Sequence, residues 1–374
     1  MTKLLTVFAI AMALAYISER NTKAIRASGE HYSVWKDWAY IGLAVALVLF
    51  AGLRTTYNDT GNYIDGFERA PLIDAWLADP ENLNPFKNPL FYLFQSLVKT
   101  ATGQAKHMIF LAALFSELCF LWFFKRYAPH FLFSVFIFFT LGTFVFTLAA
   151  IKQVLGMAIL TLGIPCIEKK KWGRFYLVVL LAALFHTYAL MFAVLPLFRA
   201  KPWSALTFCV VLVVAVVMMN FEEAISAFMD QANDLGKTLA DYEVFADATI
   251  NVFRLAVYVV PPAISLIFRK WVFHNGSEMD NVFVHMSIMS LAFMCMGTQA
   301  GANMFGRMGN YFELGTICCL PWMLEKTFVE KSYRQVAAVA CVCFFGFFYY
   351  ANAISLTFDV EYNAMGLVQF FFSR

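Results

Sequence analysis

Few ionisable residues of this chain fall within or beside its long apolar stretches, and their types are suited to chemistry. In a membrane each such group costs about 2.5–3.5 kcal/mol, so those that occur usually face a cavity or a charged partner. Arginine and lysine side chains there can bind phosphate, and a histidine can accept a proton near neutral pH. The residues concerned are Arg54, Glu117, Lys152, His186, Arg254, His285, Arg307 and Glu313.

The first of these cations opens the stretch Arg54-Thr-Thr-Tyr-Asn-Asp59-Thr-Gly61-Asn-Tyr63. A guanidinium offers phosphate a rigid fork of donors, and Tyr63 offers a polar aromatic surface for a sugar. The alternative is an arginine that reaches the membrane interface and pairs with Asp59.

Two further cations stand where apolar stretches meet. Lys152 lies between the fourth and fifth of these stretches, where a helix N-terminus would favour an anion; the alternative is a solvated turn. Arg307 lies in the glycine-rich segment 297–311, which carries a helix-packing G-x-x-x-G spacing. We expect the helix to stop at Gly306 and Arg307, leaving free backbone donors beside the guanidinium.

His186 lies near the middle of the apolar stretch 175–198. A histidine on an apolar helix is more often a packing residue than a catalytic one. Basic residues flank this stretch on both sides, which leaves two equal interpretations. Either the helix breaks near His186 and returns, as is allowed where protein or water surrounds it, or the stretch spans normally.

Composition shows which elements must hold these residues. Of 374 residues, 61% are hydrophobic and 14% charged, against roughly 45–50% and 25% in soluble domains. This excludes a water-soluble protein and predicts one all-α, polytopic transmembrane domain over residues 1–374 with ten or eleven spans. The apolar stretches are 4–17, 38–53, 107–124, 131–149, 154–167, 175–198, 206–220, 252–268, 282–305, 311–324 and 336–353.

The loops between these stretches predict the topology. Loops 54–106 and 221–251 are long; residues 54–88 hold six acids and three bases, and residues 221–251 hold seven acids and one base. The short loops are basic, which places them in the cytoplasm and the long loops outside. Within the first outer loop, residues 89–102 are moderately apolar and predict a re-entrant or interfacial helix. Arg54, Lys152 and Arg307 then share the outer side.

Several function classes lack support in the sequence. The chain has no H-E-x-x-H, G-x-S-x-G, Walker A or G-x-G-x-x-G motif, and no D-x-D pair that would hold a divalent metal. Its eight cysteines show no C-x-x-C spacing. The 28 basic and 25 acidic residues are scattered, which argues against nucleic acid as a partner. We therefore expect no metal and no cofactor.

The order of several short motifs resembles the EpsG family of bacterial inner-membrane proteins, which are similar to Wzy-type polysaccharide polymerases. The resemblance extends over residues 49–321. Two positions depart from it: Lys152 stands where the family usually has Arg, and Asn88 where relatives often carry Glu. The motifs are Arg54 with Asp59 and Tyr63, Asn88-Pro-Leu-Phe91, Ile151-Lys152-Gln153-x-x-Gly-Met-Ala-Ile159, Ala182-Ala-Leu-Phe-His186-Thr187 and Arg307-x-x-x-Tyr311-Phe312.

The resemblance implies a GT-C-like, metal-independent glycosyltransferase that joins lipid-linked repeat units at the outer face of the bacterial inner membrane. Undecaprenyl diphosphate would be the leaving group, stabilised by Arg54, Lys152 and Arg307. His186 or Asp59 would be the base. Glycan contacts would come from Tyr63, Gln153 and Tyr311. Its partners would be lipid-linked oligosaccharide, membrane lipids and a chain-length regulator, in exopolysaccharide, capsule or O-antigen synthesis.

Two other classes stay open. A flippase for lipid-linked oligosaccharide would need ionisable residues along a path through both leaflets, whereas these cluster near one side. A membrane O-acyltransferase or glycan ligase would also act on such substrates. An acyltransferase would want an Asn or Asp beside a deep histidine, and the sequence shows no such partner next to His186.

Overall fold

The computed structural model describes residues 2–220, 249–274, 276–298, 302–351, 359–362 and 370. The acidic loop predicted at 221–251 therefore lies almost wholly outside the described residues. Nearly all regular structure is helical, which confirms the predicted fold class. The α-helices are α1 Thr2–Ala27, α2 Trp38–Gly52, α3 Thr60–Arg69, α4 Ile73–Ala78, α5 Pro89–Thr102, α6 Ala105–Tyr127, α7 Phe131–Thr140, α8 Thr143–Ala149, α9 Ile151–Glu168, α10 Trp172–Phe185, α11 Ala205–Met219, α12 Val252–Ile267, α13 Arg269–Val272, α14 Glu278–Met296, α15 Ala302–Thr327 and α16 Lys331–Tyr349.

The remaining elements are short. Two strands, β1 Arg54–Thr56 and β2 Glu361–Tyr362, pair antiparallel. The 3-10 helices are Val34–Lys36, Pro80–Leu83, Pro85–Lys87 and Thr187–Arg199.

Several helices are long and apolar enough to cross a membrane. Within the described residues, α1, α6, α9, α14 and α16 meet this criterion, and α7 with α8 form a sixth candidate. Four more apolar helices are shorter: α2, α10, the 3-10 helix Thr187–Arg199 and α12. The multi-pass character is thus confirmed, while the count of ten or eleven spans stays a prediction.

The chain divides into two compact units. The first holds Met1–Ile164, Gly173–Leu190 and Tyr349–Arg374, and the second holds Pro165–Trp172 and Met191–Phe348. The sequence predicted one domain over 1–374, and this stays a prediction.

In the first unit, helices α1, α2, α6 and α7 pack together around aromatic and small side chains. Asp37 caps α2 by accepting the Tyr40 N–H at 3.2 Å. Its carboxylate also lies 3.3 Å from the Lys125 ammonium, and Asp37 is fully buried. Burial alone would raise the pKa of this carboxyl, but Ser18, Asn21 and Lys125 hold the pKa below its usual value.

A bend interrupts the predicted span 131–149 in this unit. Helices α7 and α8 meet at 55°, and Gly142 between them has φ +91°. Side chains other than glycine rarely adopt this left-handed backbone. The apolar pattern continues through the bend, so hydropathy alone indicated one straight span.

In the second unit, α14 packs along α15 at very close range. A Cβ atom at Gly309 would lie 3.3 Å from the Ser290 carbonyl, and one at Gly315 would lie 2.6 Å from the Phe283 carbonyl. Glycine at these positions lets the two backbones approach. The predicted helix stop at Gly306 and Arg307 is wrong, because α15 runs through both residues.

Candidate active site

Arg54 lies directly after α2, in the first unit, and is only 3% exposed. Its guanidinium donates to the Ala51 carbonyl and, at 3.3 Å, to Thr60 Oγ1. Within the described residues, Nη2 is buried and has no hydrogen-bond partner. Burial lowers the pKa of Arg54 to about 10, against the opposing effect of Tyr362, Glu117, Tyr63 and Tyr57, so the side chain is still cationic at neutral pH.

A cavity of about 520 Å³ lies beside Arg54 in the first unit. Its lining includes the cations Arg54 and Lys106 together with Glu68 and Gln104, and apolar side chains complete it. The cavity also meets the N-terminus of α6 at Ala105, where the helix dipole adds positive potential. A lining that combines cationic and apolar side chains suits an anion that is attached to an apolar chain. The apolar lining is Leu53, Ile64, Ile109 and Phe370.

Two described residues from the C-terminal part of the chain, Tyr362 and Phe370, line this cavity. Tyr362 pairs with Arg54 across the two strands, and its hydroxyl donates to the Phe50 carbonyl at 2.8 Å. Phe370 lines the cavity and lies 5.3 Å from the Lys106 ammonium, in cation–π range. None of the sequence motifs includes Lys106, and the resemblance ends at residue 321, before Tyr362 and Phe370. The signal in the sequence is the large number of tyrosine and phenylalanine residues near the C-terminus, which indicates that this part of the chain packs against other residues.

Lys152 lies at the N-terminus of α9, as predicted, and the structure links it to Tyr63. The Tyr63 hydroxyl accepts the Lys152 backbone N–H at 3.3 Å, which satisfies one of the orphan donors of the helix. The Lys152 ammonium lies 5.9 Å from the Phe91 ring and 5.8 Å from the Tyr92 ring. Asp59, half-buried, precedes α3 one turn before Tyr63.

His186 lies at a break, which settles one question about the stretch 175–198. Helix α10 ends at Phe185, and the 3-10 helix Thr187–Arg199 follows. His186 is 8% exposed, and its ring lies 5.0 Å from Tyr188. The helix therefore breaks at His186, and whether the chain returns to the same side stays a prediction.

Asn88 ties this break to α5. Its Oδ1 accepts the Thr187 N–H at 3.0 Å and the Thr187 hydroxyl at 3.2 Å. Asn88 adopts φ +55° immediately before α5, a left-handed backbone that asparagine tolerates better than most residues. Phe185 packs on the same apolar cluster as Tyr63 and Phe91, so α3, α5, α9 and the break converge.

The other predicted site residues are divided between the two units. Gln153 is 1% exposed in the first unit. In the second unit, Tyr311 is fully buried with its ring 6.1 Å from Phe192, and Arg307 lies in the second turn of α15. The structure thus brings Arg54, Asp59, Tyr63, Lys152 and His186 into one unit, and it places Arg307 and Tyr311 in the other.

The second unit also holds a polar network between α12 and α15. The Tyr258 hydroxyl donates to Glu313 at 2.5 Å, and the Arg254 guanidinium interacts electrostatically with both groups. The Asn310 side-chain amide lies within hydrogen-bond distance of Glu313, at 2.6 Å, and of the Gly306 carbonyl, at 3.0 Å. In the same unit the His285 ring is hydrogen-bonded to the Thr207 hydroxyl and to the Phe198 and Asn281 carbonyls, each at 3.0 Å. His285 is thus a packing histidine.

Within the described residues, no group of three or more His, Cys, Asp or Glu side chains is arranged to hold a metal ion. In the first unit, Arg54 and Lys106 line the cavity and offer donors to an anion. The sequence profile of the EpsG family matches residues 37–365. The chain belongs to the EpsG family. This is a family of Wzy-like polymerases, and the match includes Tyr362 and the strand that pairs with Arg54. No curated protein and no solved structure matches the chain.

Proposed function

We propose that this EpsG-family protein is a polysaccharide polymerase that joins oligosaccharide repeat units carried on undecaprenyl diphosphate, at the outer face of the bacterial inner membrane. One observation carries the proposal beyond the family. The buried Arg54, with its unpartnered Nη2 atom, lines a cavity in which cationic side chains and apolar side chains lie together. A polyprenyl diphosphate has this combination of charge and hydrocarbon.

In the proposed reaction, a sugar hydroxyl of the acceptor attacks the anomeric carbon of the donor glycan. The new glycosidic C–O bond forms, and the bond from the anomeric carbon to the diphosphate oxygen breaks. Negative charge develops on the departing diphosphate, which Arg54, Lys106 and Lys152 stabilise. The hydroxyl proton goes to Asp59 or His186. Arg307, in the second unit, stays a candidate from the sequence.

The polar groups around this region suit sugar binding. The Tyr92 ring lies 5.8 Å from the Lys152 ammonium, and the Tyr63 hydroxyl contacts the Lys152 backbone N–H. Asn88 and Thr187 supply amide and hydroxyl groups. Aromatic faces stack on sugar rings, and the polar groups hydrogen-bond their hydroxyls. A glycan attached to a diphosphate at Arg54 would find such contacts along α3 and α5.

The test uses the purified full chain in lipid vesicles with undecaprenyl-diphosphate repeat units from its host. Nucleotide sugars are omitted and a chelator is added. We expect a ladder of products spaced by one repeat, together with released undecaprenyl diphosphate. Unchanged substrate that crosses the bilayer would instead identify a flippase, and transfer of intact glycan to a different acceptor would identify a ligase. Either result would overturn the proposal.

A further inference from the structure

A second cleft, of about 630 Å³, lies in the second unit, where α12, α15 and α16 end or begin. Lys270 and His274 come from α13 and the turn after it, Lys326 from the last turn of α15, and Arg334 from the first turn of α16. One carboxylate, Glu325, faces these groups and lies 3.8 Å from the Arg334 guanidinium. The lining therefore carries an excess of positive charge.

The same cleft has an apolar side. Trp271 and Val329 line it and are exposed, at 54% and 78%. Tryptophan is enriched at the level of lipid headgroups, where its ring meets both hydrocarbon and water. The apolar helix α12 and the helix α15 both end at this cleft, on the side that the basic loops predict to be cytoplasmic.

We propose that this cleft binds the headgroup of an anionic phospholipid. The Lys270, Lys326 and Arg334 side chains contact the phosphate, and the acyl chains extend past Trp271 along the apolar helices. Basic pockets between transmembrane helices on the cytoplasmic side bind anionic headgroups in this way. A free phosphate ion would use the cations but leave the exposed apolar wall unexplained. The site is independent of the proposed polymerase activity.

The cations of the cleft also have a simpler explanation, which requires no bound lipid. Lysines at helix C-termini offset the helix dipole, and basic loops orient a membrane protein regardless of any bound lipid. The run Lys169-Lys170-Lys171 provides a matched control, because it follows the end of α9 and is equally basic. Lys170 lies 3.8 Å from Glu278, and this run lines none of the cleft.

The experiment measures lipid binding by native mass spectrometry and thermal unfolding in an uncharged detergent, with phosphatidylglycerol or phosphatidylcholine added. The variants are K270Q/K326Q/R334Q and the control K169Q/K170Q/K171Q. We expect phosphatidylglycerol to bind and stabilise the wild type, and binding to weaken about fivefold for each cleft cation removed. The control should bind like the wild type.

Equal binding of both lipids, or an equal loss in the control, would overturn the proposal and leave general electrostatics as the explanation. If the triple variant does not fold, Lys326→Gln and Lys326→Arg decide instead. The arginine variant should retain phosphatidylglycerol binding, and the glutamine variant should lose about fivefold. Binding that is unchanged in Lys326→Gln would count against the site.

Discussion

Arg54 and Tyr362, from opposite ends of the chain, are paired residues in a two-stranded antiparallel sheet. The Tyr362 hydroxyl donates a hydrogen bond to the Phe50 carbonyl at 2.8 Å. The Tyr362 and Phe50 rings meet edge to face, with centroids 5.7 Å apart. The C-terminal segment thus fixes the end of α2 from which Arg54 extends. It also completes one wall of the cavity beside Arg54.

This pairing predicts how Tyr362 variants behave. Tyr362→Phe removes one hydrogen bond, worth about 1 kcal/mol, and should retain most polymerisation. Tyr362→Ala removes the ring that lines the cavity, so we expect KM for the lipid-linked substrate to rise more than kcat falls. Kinetic assays on both variants check this, with the exposed neighbour Glu361→Ala as the control. Wild-type kinetics in Tyr362→Ala would contradict the assigned wall.

Arg54 should be the most sensitive cation of the first unit. Arg54→Ala should lower polymerisation by about 10²–10³, as expected when a donor to developing charge is removed. Arg54→Lys keeps the charge but loses the planar fork, so it should retain only part of the activity. The product ladder measures this, and Arg69→Ala, an exposed arginine at the end of α3, is the control. Thermal unfolding separates lost chemistry from lost folding, and full activity in both Arg54 variants would refute the diphosphate role.

Asn88 should position His186 through Thr187. Asn88→Gly permits the left-handed backbone but removes the acceptor of both Thr187 hydrogen bonds, so polymerisation should fall. Asn88→Asp keeps an acceptor and tolerates the same backbone, so it should restore activity. If His186 is the base, the lower limb of the pH profile, where the base becomes protonated, should move in Asn88→Gly. Asn88→Asp adds a negative charge near His186 and should move this limb to higher pH. Identical profiles in all three proteins would exclude this link.

The buried pair of Asp37 and Lys125 should make stability depend on pH. The folded pKa of Asp37 is lowered, so its contribution is fully present above the unfolded pKa of about 3.9 and is lost as pH falls through the folded value. Asp37→Asn should cost about 3–5 kcal/mol at neutral pH, and the difference from wild type should shrink below about pH 4. Thermal unfolding in detergent from acid to neutral pH measures this. The exposed Asp65→Asn is the control, and a difference that is constant with pH would contradict the prediction.

The contact between α14 and α15 should not accept a larger residue at Gly315. A methyl group there meets the Phe283 carbonyl, and we expect Gly315→Ala to destabilise the protein by about 1–3 kcal/mol. Gly346, in α16, is the matched control, because a Cβ there has no neighbour within 4 Å. Gly346→Ala should change thermal unfolding little. Equal effects of both substitutions would show that helix propensity, and not the close contact, is decisive.

Much of the membrane fold could be predicted from the residues. The apolar runs predicted at 107–124 and 154–167 are close to the observed bounds of α6 and α9, since burying backbone in hydrocarbon demands helices, whereas α1 continues to Ala27, well beyond the predicted run 4–17. Asn88 before α5 and Lys152 at the start of α9 were also expected, because these positions depend on local chain chemistry. Arg54 was expected at the end of α2 for the same reason.

The sequence alone did not predict contacts between segments that are distant along the chain. Hydropathy does not show that Gly142 takes a left-handed backbone, or that α15 continues through Gly306, since both depend on packing. The pairing of Tyr362 with Arg54 and the placing of Lys106 on the same cavity likewise need the folded chain. The residues themselves determined a helical membrane protein with cations at helix ends, because hydrophobicity and charge act locally. Only the tertiary structure decided which of those cations share a cavity, because that depends on contacts between residues far apart in the chain.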